Sequence, residues 1–233
     1  MVTIVTSHWK EDLEWLKKSE FPVVLIDKEG SDPSWLQPTY IIPNIGNEST
    51  VYLRFIIERY HDLPEYTAFI HGHETSWHQN YNLLDCIRNA NYLKYKFIPL
   101  NSVWKDGVIS DTINNSQWHL QEAWDTYMEN FDNPFILRNI PACGQFIVSK
   151  DRILLHPLEL YKSWYDKFMS RNIFYDCIFF EFIWHFIFGE STCYNIPIDL
   201  FSINIDNFTE HRKLVKLDVE PLYKISIKNI DMY

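Results

Sequence analysis

The sequence predicts a single α/β domain in which helices flank a mostly parallel, Rossmann-related central sheet. Three observations predict this class. The first 30 residues fit a strand, a helix and a second strand. A further helix and strand follow over 50–70. Polar clusters come directly after three of the apolar strands. A length of 233 residues suits one domain over 1–233, with 191–233 as a candidate C-terminal extension.

The first half of the chain supplies the alternation of strands and helices. The run FPVVLI at 21–26 is continuously apolar, as expected of a strand buried on both faces. The β-rich run VTIVTS and the apolar run YTAFI indicate two more strands. The expected strands are 2–7, 21–26 and 66–70, and the expected helices are 11–18 and 50–60, with Ser49 as the N-cap of the latter.

The second half is predicted to be mainly helical. Pro157 interrupts one expected helix, and Gly189 ends the most apolar one. Alternation after Ser191 indicates additional strands. The expected helices are 76–95, 117–128, 151–169 and 175–188, and the expected strands are 97–100 and 146–149.

Composition excludes several classes of protein. The net charge is −10, and 21 basic residues are scattered among 31 acidic ones, whereas a nucleic-acid surface needs clustered lysine and arginine. No apolar run reaches the ~20 residues that span a bilayer. The four cysteines form no CxxC pair, so we expect free thiols and no zinc knuckle. The N-terminus shows no signal-peptide pattern, and we expect a cytoplasmic protein.

Aromatic residues make up 17% of the chain, which is a high fraction. Such a surplus fills a core, and it also builds flat surfaces on which sugars stack. The sequence leaves both interpretations open.

Polar clusters mark the edge where a site is expected, because ligands of parallel sheets bind beyond the carboxyl ends of the strands. An acid placed like Asp27 can accept hydrogen bonds from a ribose, or it can belong to a charged turn. The loop containing Asn44 and Gly46 can hold an anion or a base, or it can simply begin a helix. The clusters are His8, then Asp27 and Lys28, then His71, Gly72, His73 and Glu74.

The histidines at 71 and 73 point to the same side of an extended segment, and His78 follows five residues later. They can ligate a metal, with Glu74 as a third ligand or an acid–base group. They can also bind substrate hydroxyls or phosphate without a metal, or merely end the strand.

Two further positions carry candidate chemistry. Gly144 suggests a close backbone approach to a ligand or a strand, and Cys143 beside it is a nucleophile only if a base lies nearby. Glu181 lies in a very apolar stretch, so it must be paired, protonated or facing a cleft. A general base and a buried structural ion pair are both compatible with it, and His185 shares its helix face.

Six ordered segments resemble an uncharacterised family common in fungi, over about residues 5–189. The family pattern is roughly RYxEDLxWL, YNKG, PNxGRE, FLQGHP, GxQFxVSRxRI and ERLWHxIFG. This chain departs from it at Asn47, where the family has Arg, and at His71, where it has Gln. The matching segments are HWKEDLEWL, DKEG, PNIGNES, FIHGH, CGQFIVSKDRI and EFIWHFIFG.

A looser resemblance links the layout to nucleotide-sugar glycosyltransferases of the GT-A type. Those enzymes have an acid after the second strand, an N-x-G loop, a strand ending in Asp-x-Asp, a Gly-containing acceptor segment and a helix that starts Glu-Asp. Here His71-Gly72-His73 replaces the Asp-x-Asp that binds a hard cation. The resemblance implies a GT-A-like fold, with Mn²⁺ or Mg²⁺ as a candidate cofactor, or a diphosphate neutralised by side chains instead.

The resemblance also implies a function and residue roles. A sugar would pass from a nucleotide-diphosphate sugar to a hydroxyl of a carbohydrate or glycoconjugate, with Glu181 as the base and inversion at the anomeric carbon. The alternatives are a His-ligated metallohydrolase, with His119 or His156 as later ligands, and a non-catalytic sugar- or nucleotide-binding module. The metal would lie at His71 and His73, and the acceptor would contact Trp77, Trp184 and His185. The residues implied at the donor site are His8, Asp27, Lys28, Asn44, Gly46, His71, Gly72, His73, Gly144 and Gln145.

Overall fold

A six-stranded sheet with strand order β3-β2-β1-β4-β8-β5 forms the centre of the computed structural model. The structure describes residues 1–29, 35–79, 81–101, 104–108, 119–134, 136–194, 197 and 199–205. The strands are β1 Val2–His8, β2 Val23–Asp27, β3 Tyr40–Ile41, β4 Tyr66–Ile70, β5 Phe97–Pro99, β6 Trp104–Val108, β7 Ile136–Pro141 and β8 Phe146–Ser149. The helices are α1 Asn47–Arg59, α2 Leu83–Asn89, α3 Leu120–Tyr127, α4 Lys150–Ile153, α5 Leu158–Arg171 and α6 Phe174–Ile187, and a 3-10 helix covers Glu14–Lys18.

The expected α/β fold with a mostly parallel sheet is confirmed. Strands β1, β2, β3 and β4 run parallel, and the apolar runs predicted β1, β2 and β4 but not the short edge strand β3. Every residue of β4 is buried, because helices cover both faces of the sheet. The last paired residues of β1 and β2 are His8 and Asp27, so both side chains lie at the carboxyl edge.

Strand β8 runs antiparallel to both β4 and β5. Phe146 at the start of β8 pairs with Phe69 near the end of β4. The chain therefore enters β8 at the edge where β4 ends, which brings Gly144 and Gln145 to that edge. A separate two-stranded sheet of β6 and β7 lies between β5 and β8 in the sequence.

The two faces of the sheet carry separate cores. One is built on α1, α5 and α6, and the other on the 3-10 helix and α2. All of the largest fully buried side chains are aromatic, including Trp164, Trp184 and Tyr52. The aromatic surplus is therefore mainly core, since such rings bury 150–250 Å² each.

The structure corrects three sequence-based boundaries. The expected helix over 76–95 is only Leu83–Asn89, capped by Asn82, because the preceding residues form a turn closed by backbone bonds between Ser76 and Gln79. The expected helix over 11–18 is a single 3-10 stretch. Helix α1 begins after Gly46, so Ser49 is buried inside the helix and does not cap it.

The C-terminal stretch is described only to residue 205. Its described part includes a β-bridge between Phe201 and Ala90, and none of the named strands lies in it. The remainder of the candidate extension lies outside the described residues. Among the helices that the structure describes, none has the length and apolar character needed to cross a bilayer.

Candidate functional site

A cavity of about 170 Å³ opens at the carboxyl edge of β1, β2 and β4, where the sequence predicted a site. Four separate chain segments contribute to its wall. Asn44 and Asn47 are exposed at the rim, with amide groups that a ligand can reach. The lining residues are Ser7, His8, Trp9, Glu11, Lys28, Asn44, Asn47, Glu48, His71, Gly72 and His73.

His8 and Asp27 form a buried pair in the wall of this cavity. The Nδ1 atom of His8 lies 2.7 Å from Oδ1 of Asp27. A carboxylate only accepts hydrogen bonds, so Nδ1 of the imidazole is the donor and the ring is held in one orientation. Asp27 therefore acts on the cavity through His8.

Lys28 is buried beneath the loop that precedes α1. Its Nζ atom donates to the carbonyl oxygen of Ile45 at 2.9 Å and to that of Asn47. Burial lowers the pKa of the Lys28 amine to about 8, although the charge of Glu48 acts in the opposite direction. Lys28 thus fixes the rim loop and keeps a cation at the base of the cavity near neutral pH.

Two carboxylates from different helices lie together beside this lysine. Burial raises the pKa of Glu48 to about 8, and the negative charge of Glu181 on α6 raises it further. With a pKa of about 8, the Glu48 carboxyl keeps its proton at neutral pH.

Gly144 gives Glu48 its space. Its backbone φ is +63°, and a Cβ atom there would lie 3.0 Å from Oε1 of Glu48. Only glycine adopts this conformation readily and also leaves room for the carboxyl group. The segment before β8 therefore forms one side of the carboxylate pair.

Three imidazoles meet just beyond β4. One ring nitrogen from each of His71, His73 and His78 lies within 4.8 Å of the other two. The ring centroids are 5.1 to 5.7 Å apart. Burial lowers the pKa of both His71 and His73, so their rings are neutral at physiological pH and offer lone pairs.

A buried amide network holds this cluster. Asn101 Oδ1 lies 2.9 Å from Nδ1 of His78 and accepts at 3.0 Å from Nε2 of Gln145. Gln145 Oε1 accepts the backbone N–H of His71 at 3.0 Å. The network connects the ring of His78 to the backbone of His71, so Gln145 is a positioning residue and its amide is engaged by protein groups.

Gly72 allows the tight passage of the chain between the two cavity histidines. A Cβ atom there would lie 2.8 Å from the carbonyl oxygen of Ser7. The indole Nε1 of Trp15 donates to the Gly72 carbonyl at 3.1 Å. The 71–73 segment is thereby fixed from both sides.

A second cavity of about 660 Å³ adjoins the first and shares Glu11 and His73 with it. Trp77 lies near this region, is 65% exposed, and packs edge-on against His78. Most of its ring surface is therefore accessible, as stacking on an acceptor requires. The residues lining the second cavity are Glu11, Asp12, Glu14, Trp15, Lys18, His73, Glu74 and Thr75.

Two predicted acceptor residues lie elsewhere. Trp184 is 1% exposed and stacks on Phe188 with ring centroids 5.7 Å apart. His185 is fully buried, and burial lowers its pKa to about 3. Both belong to the core because α6 is buried along most of its length, so neither can stack on a sugar as expected.

Three candidate metal ligands also lie outside the histidine cluster. Glu74 is exposed and its carboxylate lies 3.8 Å from Nζ of Lys18. His156 Nε2 bonds the carbonyl of Ile187 at 2.7 Å. His119 is exposed before α3 and packs against Tyr175. Cys143 is buried next to Gly144.

The sequence analysis did not single out Glu48, Glu11 or Asn101. The sequence did contain a signal for Glu48: it is an acidic residue one helical turn before Tyr52, on a helix face that otherwise enters the core. The sequence around Asn101 gave no such signal, because Asn101 contacts His78 and Gln145, which lie 23 and 44 positions away in the sequence.

The family model described as "Protein of unknown function (DUF3431)" matches residues 3–198. The chain therefore belongs to the DUF3431 family, and the expected membership of a family without an assigned function is confirmed. Searches of curated proteins and of solved structures found no significant match.

Proposed function

We propose that this protein is a glycosyltransferase that moves a sugar from a nucleotide-diphosphate sugar to an acceptor hydroxyl. One observation supports it most. The segments that match the GT-A layout along the sequence meet in space: the end of β2, the Asn44–Gly46 loop, the 71–73 segment, Gly144 and Glu181. Scattered segments that converge at the carboxyl edge of a parallel sheet are typical of a nucleotide site.

The donor would lie along the carboxyl edge. His8, oriented by Asp27, and the exposed amides of Asn44 and Asn47 would contact the nucleoside. Lys28 and the imidazoles of the 71–73 segment would offset the charge of the diphosphate. The small cavity and its larger neighbour share a wall, which gives the donor sugar and the acceptor room on either side of His73.

Glu181 would act as the general base. As the acceptor oxygen attacks the anomeric carbon, the bond from that carbon to the diphosphate breaks and the nucleoside diphosphate leaves. The acceptor hydroxyl must lose its proton in this step, and a carboxylate can accept it. Glu48 is itself protonated at neutral pH, so it would not compete for that proton. A single base on the acceptor side implies inversion at the anomeric carbon, and Trp77 offers the exposed ring on which the acceptor can stack.

A two-stage experiment tests the proposal. The melting temperature would be measured with UDP-, GDP-, CMP- and dTDP-sugars, each with EDTA, Mg²⁺, Mn²⁺ or Zn²⁺. A ligand at 100 times its Kd adds about 2.7 kcal/mol, which raises the melting temperature by several degrees. The stabilising donor is then incubated with acceptor glycans, and transfer is followed by mass spectrometry.

The matched variants are Glu181→Gln and Glu65→Gln, because Glu65 is an exposed carboxylate outside the site. Glu181→Gln should abolish transfer and keep donor binding, whereas Glu65→Gln should retain both. Unchanged turnover in Glu181→Gln would reject the base assignment. Absence of a shift with every donor would reject the transferase.

A His-ligated metallohydrolase is the second candidate, and the three-imidazole cluster specifically favours it. Three imidazoles with an open fourth position can activate a bound water. This candidate predicts hydrolysis of a phosphate or acyl ester without any sugar acceptor. The two candidates separate in an assay that compares donor consumption with and without acceptor.

A further inference from the structure

The imidazoles of His71, His73 and His78 are arranged around a common point. Since their nitrogens lie within 4.8 Å of one another, a point exists within about 2.8 Å of all three. Zinc–imidazole bonds are ~2.0–2.1 Å long, so movements of the ring nitrogens by less than ~1 Å would bring all three into bonding range. Among the residues that the structure describes, the Nε2 atoms of His71 and His73 meet no hydrogen-bond partner, so both are available to an ion.

The third imidazole is oriented by its neighbour. Asn101 donates through Nδ2 to the carbonyl of Ala142 at 2.9 Å, which leaves Oδ1 facing Nδ1 of His78. Nδ1 of His78 is therefore the protonated nitrogen, and Nε2 carries the lone pair. This contact is of the kind that orients metal-bound histidines, which usually donate their other N–H to a protein oxygen.

The three imidazole nitrogens favour one class of metal ion over another. Mg²⁺ and Ca²⁺ prefer oxygen ligands, whereas imidazole suits zinc, copper, iron and nickel. No carboxylate belongs to the cluster in the described part of the chain. Three imidazoles alone are thus a poor site for Mg²⁺ and a good one for Zn²⁺.

We infer that His71, His73 and His78 bind one zinc-type transition-metal ion, with Asn101 as a positioning residue and a fourth position open to the 170 Å³ cavity. His71 and His73 line that cavity, so the open position faces the place where a phosphate oxygen or a water would lie. The inference goes beyond the proposed sugar transfer. It applies equally to a transferase, a hydrolase or a binding module, and a metal titration tests it without any substrate.

The direct experiment is a titration of chelator-stripped full-length protein with Zn²⁺ against a chromophoric competitor, and with Co²⁺ followed by visible absorption. We expect one ion per chain, intense absorption typical of four-coordinate cobalt, and much weaker binding of Mg²⁺ and Mn²⁺. His73→Asn should weaken zinc binding at least 100-fold. His119→Asn is the matched control, because His119 is exposed and outside the cluster, and it should bind like the wild type.

Asn101 offers a test of positioning. Asn101→Ala leaves all three ligands in place and should weaken zinc binding 10- to 100-fold. Asn101→Asp keeps an oxygen for Nδ1 of His78 and should restore most of that affinity. Equal binding by all three proteins would show that Asn101 only fills space.

A measurement on the unaltered protein covers the case in which the histidine variants do not fold. Diethyl pyrocarbonate modification, mapped by mass spectrometry across the nine histidines, should be suppressed by Zn²⁺ at 71, 73 and 78 but not at His61 or His119. Binding of less than one zinc per chain, or protection that spares the three cluster histidines, would overturn the inference.

Discussion

Burial raises the pKa of Glu48 on α1, and the neighbouring carboxyl group of Glu181 on α6 raises it further. The two residues lie more than 130 positions apart in the sequence, and their helices pack on the same face of the sheet. Their carboxyl groups share the site with the buried amine of Lys28, so the stability of the fold and the chemistry of the cavity depend on the same protons.

Glu48 makes stability fall as the pH rises. Its folded pKa is about 8, against 4.5 for the unconstrained group, so between these values the folded state binds a proton that the unfolded state has lost. The free energy of unfolding should decline across this window, by at most ~1.4 kcal/mol per pH unit, and should level off above pH 8. Melting curves from pH 4.5 to 8.5 measure it.

Glu48→Gln removes this titration and should flatten the decline. Glu65→Gln, which alters an exposed carboxylate, should leave it intact. A decline of the same steepness in Glu48→Gln would assign the proton to another group.

Lys28 has the opposite effect in a higher window. Its folded pKa is about 8, below the ordinary 10.5, so between these values the unfolded state binds a proton that the folded state lacks. The contribution of Lys28 to stability should therefore rise as the pH increases from about 8 to 10.5. Lys28→Met should abolish the rise, whereas Lys17→Met, at an exposed position, should not.

Gly144→Ala should lower stability and disturb Glu48. The left-handed conformation costs an L-residue ~1–2 kcal/mol, and the new Cβ atom would lie 3.0 Å from the Glu48 carboxyl. We expect the melting temperature to fall by roughly 2–8 °C. Repeating the substitution in a Glu48→Ala background separates the two causes, because only the contact with the carboxyl disappears there.

Two tryptophans should respond in opposite ways. Trp184→Ala removes a buried ring and should lower the free energy of unfolding by about 3–5 kcal/mol. Trp77→Ala alters a ring that is 65% exposed, so stability should change by less than ~0.5 kcal/mol while acceptor binding weakens. Urea unfolding and acceptor titration of both variants provide the comparison, and strong destabilisation by Trp77→Ala would contradict it.

Local sequence patterns were enough to predict strands β4 and β8 of the central sheet. The apolar run at 66–70 gave β4 its observed bounds, and the segment over 146–149 did the same for β8. Both strands are short and buried, so periodicity and flanking polar residues define them without tertiary information. The tendency of ligands to bind beyond the carboxyl ends of parallel strands then predicts that His8, Lys28 and His71 line one site, and all three line the 170 Å³ cavity.

Other features of the fold and the candidate site depend on tertiary contacts. Trp184 and Glu181 lie three residues apart on one apolar helix, and only the packing of α6 shows that the first is in the core and the second lies beside Glu48. The partnership of Asn101 with His78 depends on the antiparallel insertion of β8, which no local pattern encodes. The turn before α2 likewise depends on Gln79, whose side chain bonds the carbonyls of Glu74 and Tyr81.

Asn101 also closes the base of a long excursion of the chain. Its amide bonds Ala142, and Trp104 of β6 pairs with Pro141 of β7, so the path that leaves the sheet after residue 101 returns to it at residue 142. The same excursion carries α3, whose Trp124 and Tyr127 pack in one core with α6. One asparagine side chain thus joins the imidazole cluster to the anchor of a segment that completes this core.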